Sequence, residues 1–149
     1  MSLTELLAGK RIQRHVTSPG EIVGLRKLVT RDLQDAGVSG LSADRIFATA
    51  YNAVLQLSKI ALACAGYRVS PSLPGHHQTT FDAARFVLGP SAQPLTDYFE
   101  TCRRKRNVID YDLSEVATES QAEELVQKAA EYQELVEGWI ARKHPKYKS

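Results

Sequence analysis

The fold is decided by the stretch Ser42-Ala-Asp-Arg-Ile-Phe-Ala-Thr-Ala-Tyr-Asn-Ala-Val-Leu-Gln-Leu-Ser-Lys-Ile-Ala-Leu-Ala-Cys-Ala-Gly66. Its apolar residues recur every three or four positions, which predicts an α-helix with a buried face. Ser42 is a typical N-cap and Gly66 a typical residue after a helix C-terminus, so the helix is expected to end at Ala65. Small residues lie on several of its sides and permit close contact with more than one neighbour. We therefore expect a central helix with this buried stripe: Phe47, Ala50, Tyr51, Val54, Leu57, Ser58, Ala61 and Leu62.

Helical periodicity also dominates the rest of the chain, and strand signals are almost absent. Before the central helix, residues 4–16 are compatible with a short helix, and Ser18-Pro-Gly-Glu21 predicts the start of a second helix that ends at Gly37. After it, residues 67–75 are predicted to form a loop, and helices are predicted over 76–88, 95–112 and 119–143. We expect an all-α fold, a single antiparallel up-and-down bundle of four to five main helices. One domain would cover 1–149, with a core of about 40–142 on which the helices of 4–37 pack.

The composition is that of an ordinary soluble globular protein, with 43% hydrophobic and 24% charged residues in 149. A net charge of +2 is too small to indicate a dedicated nucleic-acid binder. The longest apolar stretch falls short of the ~20 residues of a membrane span, and no secretory signal is visible. Cys64 and Cys102 form neither a CxxC pair nor part of a His cluster. We expect a cytoplasmic protein with no membrane association, no disulfide, no metal and no cofactor.

The segment 95–112 contains the functional signal. At 100° per residue, Arg106 falls inside the apolar stripe formed by Leu95, Tyr98, Phe99, Cys102 and Ile109. Asp110 lies one turn further on, within reach of a salt bridge to Arg106. Arg104, Asn107 and Tyr111 form a row beside this pair. One interpretation is a solvated basic turn, Arg103-Arg104-Lys105-Arg106, with an ordinary ion pair; the other is a surface for phosphate or RNA.

The string Cys102-Arg-Arg-Lys-Arg-Asn-Val-Ile-Asp-Tyr-Asp112 resembles the characteristic helix of HEPN domains, in which four to six residues separate an Arg, often followed by Asn, from a His. The long early helix, Gly75-His-His-Gln-Thr-Thr-Phe81 and the order of the helices agree with that family over roughly residues 40–142. The resemblance implies a helical bundle that forms a two-fold homodimer with this helix at the seam. Many members are metal-independent ribonucleases, often toxins, while others bind a small nucleotidyltransferase.

The chain departs from the catalytic pattern because Tyr111 stands where the family has its His. Tyr, with an ordinary pKa near ~10, is a poor general base at neutral pH. The leading hypothesis is a non-catalytic or weakly catalytic HEPN-like module in a bacterial toxin–antitoxin or stress-response setting. It would bind a nucleotide, RNA or a nucleotidyltransferase partner through these residues: Arg103, Arg104, Arg106, Asn107, Asp110 and Tyr111.

Two alternatives stay open at this point. The first is a metal-independent endoribonuclease that uses Arg106 with Tyr111 and His77 as candidate catalytic residues. His76 and His77 are otherwise expected to cap their helix and face solvent, since adjacent histidines do not share a helix face. The second alternative is a helical protein-interaction module with no nucleotide ligand.

Overall fold

The computed structural model describes residues 1–110 and 115–149, with the backbone alone for Asp110. The fold is mostly helical, as the periodicity predicts. The described part contains six α-helices, a two-stranded ribbon and two single 3-10 turns. In chain order these are α1 (Leu3–Ala8), β1 (Ile12–Arg14), α2 (Pro19–Ala36), α3 (Ala43–Ala65), β2 (Tyr67–Val69), α4 (His76–Leu88), a 3-10 turn (Pro90–Ala92), α5 (Gln93–Asp110), α6 (Glu119–Lys143) and a 3-10 turn (Pro145–Tyr147).

The central helix α3 has the ends that the sequence predicts. The Ser42 hydroxyl accepts a hydrogen bond from the Arg45 backbone N–H at 3.2 Å, and Gly66 adopts a left-handed conformation with φ of 96°. A residue with a Cβ is strained at such a φ, so glycine stops the helix at low cost. α3 packs against α2, α4, α5 and α6, and its predicted stripe is buried throughout. It therefore forms the centre of the core.

Contacts along α3 fix the directions of two neighbouring helices. The Ala117 backbone N–H, just before α6, donates a hydrogen bond of 2.7 Å to the Asp44 carboxylate at the start of α3. Further along both helices, the Ser58 hydroxyl of α3 is hydrogen-bonded to the Tyr132 hydroxyl of α6 at 2.7 Å. α3 and α6 therefore run in the same direction. α2 runs the opposite way, because its earlier residue Leu25 lies beside the later part of α3 and its Val29 lies beside Leu57.

The expected helix over 4–16 is wrong beyond its first turns. α1 ends at Ala8, Gly9 follows it, and Lys10 turns the chain with φ of 58°. Ile12–Arg14 then pairs antiparallel with Tyr67–Val69, residues that were expected to form a loop. The buried Ile12 side chain anchors this ribbon beside α1 and α4. Strand structure is thus present, although both strands are only three residues long.

The remaining helix bounds agree with the prediction except at one end. α4 and α6 begin and end at the predicted residues, and α2 follows the Ser18 cap. α5 begins at Gln93, two residues earlier than expected, because Pro94 occupies its first turn, where the missing N–H costs nothing. The predicted extension of α5 to Asp112 falls on residues that lie outside the described part.

Helix α3 is also long and apolar enough to span a membrane by length and composition, with a mean hydropathy of 1.3 over its most apolar window. The expectation that no stretch approaches that limit was therefore too strict. In the fold, 67% of that window is buried inside the protein. Cys64 and Cys102 are both buried free thiols. Burial raises the pKa of Cys64 to about 11, so this thiol stays protonated at neutral pH.

Candidate functional site

The arginine cluster, defined as Arg103, Arg104 and Arg106, lies in the second half of α5. Arg104 is exposed, whereas Arg103 and Arg106 are half-buried against neighbouring helices. Lys105 is also half-buried, and its ammonium donates to the Val116 carbonyl at 3.2 Å. The basic run is therefore not simply a solvated turn, because three of its four side chains are partly covered by the fold.

Arg106 is held against α3 by two contacts. Its Nη2 donates to the Asn52 side-chain oxygen at 3.3 Å. Its guanidinium carbon lies 5.6 Å from the centre of the Tyr51 ring, within the range of a cation–π interaction. Arg106 thus occupies the position inside the apolar stripe that its helical register predicts. These contacts fix the orientation of its guanidinium.

His77 reaches the same place from α4. Its Nδ1 lies 3.2 Å from the Tyr51 hydroxyl oxygen, so His77 and Arg106 both contact Tyr51. Gly75 is the N-cap of α4 and no side chain caps it, so the histidines do not cap the helix as expected. His76 is exposed and lies edge-on to His77. Of the two histidines, His77 is the one that lies beside the arginine cluster.

The environment keeps both His77 and Tyr51 uncharged at neutral pH. Burial, together with the nearby charges of His76 and Arg106, lowers the pKa of His77 from 6.5 to about 4. Burial raises the pKa of Tyr51 and outweighs the opposing effect of Arg106. The neutral imidazole can accept or donate one hydrogen bond, depending on its tautomer. Arg106 is therefore the charged member of this trio.

Glu100 and Arg103 form a loose pair one turn earlier on α5. Arg103 Nε lies 3.8 Å from Glu100 Oε2, which is an ion-pair distance and too long for a hydrogen bond. Among the described residues, no group hydrogen-bonds the buried Arg103 Nε or Glu100 Oε1. Burial raises the pKa of Glu100, against the opposing effect of Arg103. Buried polar atoms without partners are rare in native folds, so a bound group or water is expected here.

A cavity of about 540 Å³ opens beside this pair, between the start of α4 and the middle of α5. A volume of that size is typical of small-molecule sites. Arg103 and Arg104 supply positive charge to it and Glu100 supplies one carboxyl group. Its walls are almost entirely polar side chains: Gln78, Glu100, Thr101, Arg103 and Arg104.

The other predicted site residues are only partly described. Asn107 is half-buried on α5, next to Arg106. Asp110 ends α5, and its side chain lies outside the described residues, as does Tyr111. The predicted Arg106–Asp110 pair and the Arg104–Asn107–Tyr111 row are therefore not described as a whole.

Sequence reasoning missed four residues of this face: Tyr51, Asn52, Gln78 and Glu100. Tyr51 and Asn52 belong to the α3 stripe or its border, and their positions indicated packing alone. Glu100 carried one usable signal, since it precedes Arg103 by three residues and such pairs share a helix face. Gln78 carried none, because only the fold brings α4 against α5.

Three guanidinium groups and one carboxyl group give this face a charge that suits an anion. Guanidinium groups match phosphate oxygens in geometry as well as charge. Within residues 1–110 and 115–149, no three His, Cys, Asp or Glu side chains come together closely enough to hold a metal ion.

No family model, no curated protein and no solved structure matches this chain. What points to a function is therefore the geometry of this face.

Proposed function

We propose that the chain is a HEPN-like binding module that holds a phosphate group of RNA or of a nucleotide on the arginine cluster. The observation that carries the proposal is the pair Arg103 and Arg104 beside one polar cavity, where the buried Arg103 Nε has no hydrogen-bond partner among the described residues. Arg106 lies one turn after Arg103 on the same helix. Phosphate accepts several hydrogen bonds at once, which is what two adjacent guanidinium forks offer.

The arrangement of Arg106 favours binding at low entropic cost. A free arginine side chain loses rotamer freedom when it binds, by about 0.5–1.5 kcal/mol for each immobilised side chain. Arg106 is already held by Asn52 and by the Tyr51 ring, so part of that cost is met when the protein folds. Arg104 remains exposed and can adjust to the ligand.

The up-and-down bundle belongs to the same proposal. Its support is the opposite direction of α2 and α3, together with the two long helices, α3 and α6, that precede and follow α5 in the chain. In this arrangement α2, α3, α5 and α6 form the bundle, and α4 is an additional helix between α3 and α5. α1 and the ribbon lie outside it.

Binding rather than catalysis is supported by the state of the candidate bases. A general base works best when its pKa is near the working pH, and the pKa of His77 is about 4. Tyr111 occupies the motif position of the family's His. We infer weak or absent ribonuclease activity on these grounds. The metal-independent endoribonuclease remains the second candidate, and the contact of His77 and Arg106 with the same Tyr51 is what favours it.

The setting of the protein follows from the HEPN proposal alone. It comprises a two-fold homodimer at α5, a nucleotidyltransferase as a partner chain, a toxin–antitoxin or stress-response role, and a cytoplasmic location. A protein-interaction module without a nucleotide ligand is the remaining alternative. It leaves the unsatisfied Arg103 Nε and the arginine-lined cavity without an explanation.

The proposal is tested by fluorescence anisotropy with a fluorescein-labelled, single-stranded RNA of about ten nucleotides over a range of salt concentrations. Each phosphate contact that is lost should reduce the slope of log affinity against log salt by about 0.7. Arg103→Met and Arg104→Met should each produce that reduction. Arg106→Lys keeps the charge and loses the fork, so it should weaken affinity with little change in slope.

Arg142→Met is the matched control, because Arg142 is exposed in the last turn of α6 and does not line the cavity beside the arginine cluster. It should bind like the wild type. Absence of wild-type binding at low salt would refute the proposal, as would an equal loss in the control. Cleavage of the RNA in EDTA that depends on Arg106 and His77 would favour the endoribonuclease instead.

A further inference from the structure

A second cavity, of about 300 Å³, lies beneath the ribbon, between α2 and the last turns of α3. We call it the ribbon cavity. Its apolar surface comes from Leu25, Leu62 and the ring of Tyr67. Lys59 and Arg68 line it as cations. It shares no lining residue with the cavity beside the arginine cluster, so a ligand here would be independent of the proposed function.

The negative charge in the ribbon cavity is already compensated. The Glu21 carboxylate accepts a hydrogen bond from the Thr17 hydroxyl at 2.7 Å and lies 2.8 Å from His15 Nε2. These contacts, with the charge of Arg68, lower the pKa of Glu21. Glu21 therefore stays ionised. Its carboxylate oxygens already contact Thr17 and His15, so few of their hydrogen-bonding positions remain for a cationic ligand.

The positive charge is not compensated in the same way. Arg68 Nε donates to the Gln13 side chain at 3.0 Å on the facing strand, which holds Arg68 in the ribbon. In the part of the chain that the structure describes, Lys59 makes no hydrogen bond and no ion pair. Burial of part of the side chain lowers the pKa of Lys59, although the residue as a whole is exposed to solvent. Among the residues that line the cavity, the two cations Lys59 and Arg68 face the single carboxylate of Glu21.

We propose that the ribbon cavity binds a small organic monoanion, with its anionic group on Lys59 and its apolar or aromatic body on Leu25, Leu62 and Tyr67. An ammonium beside an apolar surface is a favourable site for a carboxylate or sulfonate that carries a hydrophobic group, because both parts leave water together. The volume lies at the lower end of the range for ligand sites, about 300–1,000 Å³. That size accepts one or two rings and excludes a nucleoside triphosphate.

The probe for this site is 1-anilinonaphthalene-8-sulfonate, an aromatic body with a single anionic group whose fluorescence rises in apolar surroundings. N-phenyl-1-naphthylamine has the same rings without the sulfonate and serves as the uncharged counterpart. Lys59→Met should weaken the affinity for the sulfonate roughly five-fold, as expected for a partly exposed ion pair. It should leave the affinity for the uncharged amine unchanged. Lys27→Met removes an exposed cation from α2 and should change neither affinity.

Filling the cavity tests whether both probes bind there. Leu25→Trp should abolish binding of the sulfonate and of the amine, and Ala63→Leu, from the α3 side, should do the same if the tryptophan variant does not fold. Near-ultraviolet circular dichroism of each variant establishes that its tertiary packing is intact. The proposal is overturned if a folded, filled variant binds the probes as the wild type does. It is also overturned if Lys59→Met weakens both probes equally or neither.

Discussion

Acidification is expected to destabilise the fold through His77. The pKa of this group is about 4 in the folded protein against 6.5 for a free imidazole, so the unfolded chain binds its proton first. The stability that the neutral ring contributes is complete above pH 6.5 and is lost as the pH falls from there towards 4. Between pH 8 and pH 5 the two pKa values give a loss of about 2 kcal/mol. Because the ring is half-buried, solvent screening reduces the expected loss to about 1 kcal/mol.

Urea unfolding of the wild type and of His77→Gln at both pH values isolates this contribution. Glutamine is neutral throughout and still offers a hydrogen bond to Tyr51, so His77→Gln should lose about 1 kcal/mol less than the wild type on acidification. Contributions from the other titrating groups cancel in the difference. His76→Gln, a change at the exposed neighbour, should keep most of the wild-type loss. An NMR titration that places the His77 midpoint near 6.5 would contradict the reasoning directly.

Four further outcomes are expected. Ser58→Ala should lower the free energy of unfolding in urea by about 1–3 kcal/mol, because it leaves the fully buried Tyr132 hydroxyl without its 2.7 Å partner. Adding Tyr132→Phe should recover part of that loss. A double variant whose loss equals the sum of the two single losses would contradict the pairing. EDTA should leave the melting temperature unchanged, and a drop of several degrees that zinc or manganese restores would show a missed metal site. Light scattering at tens of micromolar should show the proposed homodimer, and a monomer at that concentration would count against it. Tyr111→His should create or increase RNA cleavage near pH 7, and Arg106→Ala in that background should abolish it; robust wild-type cleavage that needs Arg106 and survives EDTA would falsify the binding-module proposal.

The long helices could be predicted from the sequence because their ends are encoded locally. Ser18, Ser42 and Gly66 are cap residues whose effect depends on the neighbouring backbone and not on distant contacts. The 3.6-residue period extends over 13 residues or more in α2 to α6, which is long enough to distinguish it from alternation. Local rules therefore suffice for these helices.

The ribbon could not be predicted in this way. Each strand has three residues, too few for an alternating pattern to stand out, and the pairing joins Ile12 to Val69 across most of the N-terminal half of the chain. The apolar residues of 4–16 continue at spacings that a helix also allows. Helix α1 ends at Gly9, and the chain turns at Lys10. A lysine seldom adopts a positive φ, so the residue type at position 10 does not predict this turn.

The candidate site was predictable on one side only. The helical register of α5 places Arg106 in the apolar stripe, and a buried guanidinium needs partners, so a polar contact was foreseeable. Its identity was not, because Asn52 is 54 residues away and lies on another helix. Glu100 and Gln78 meet the arginine cluster only after α4 folds against α5.

The environment of Tyr51 supports the proposal that this face binds a ligand and does not transfer protons. The ring is fully buried, so its hydroxyl must be hydrogen-bonded, and His77 supplies that bond. His77 makes this hydrogen bond as a neutral ring next to Arg106. Burial and the positive charge of Arg106 both make protonation of His77 unfavourable. A histidine held in this way holds a proton only weakly at neutral pH, whereas Arg106 keeps its full charge. The contacts that stabilise the core thus leave a guanidinium in place and weaken the base, which is the combination expected if this face holds phosphate without cleaving it, as we propose.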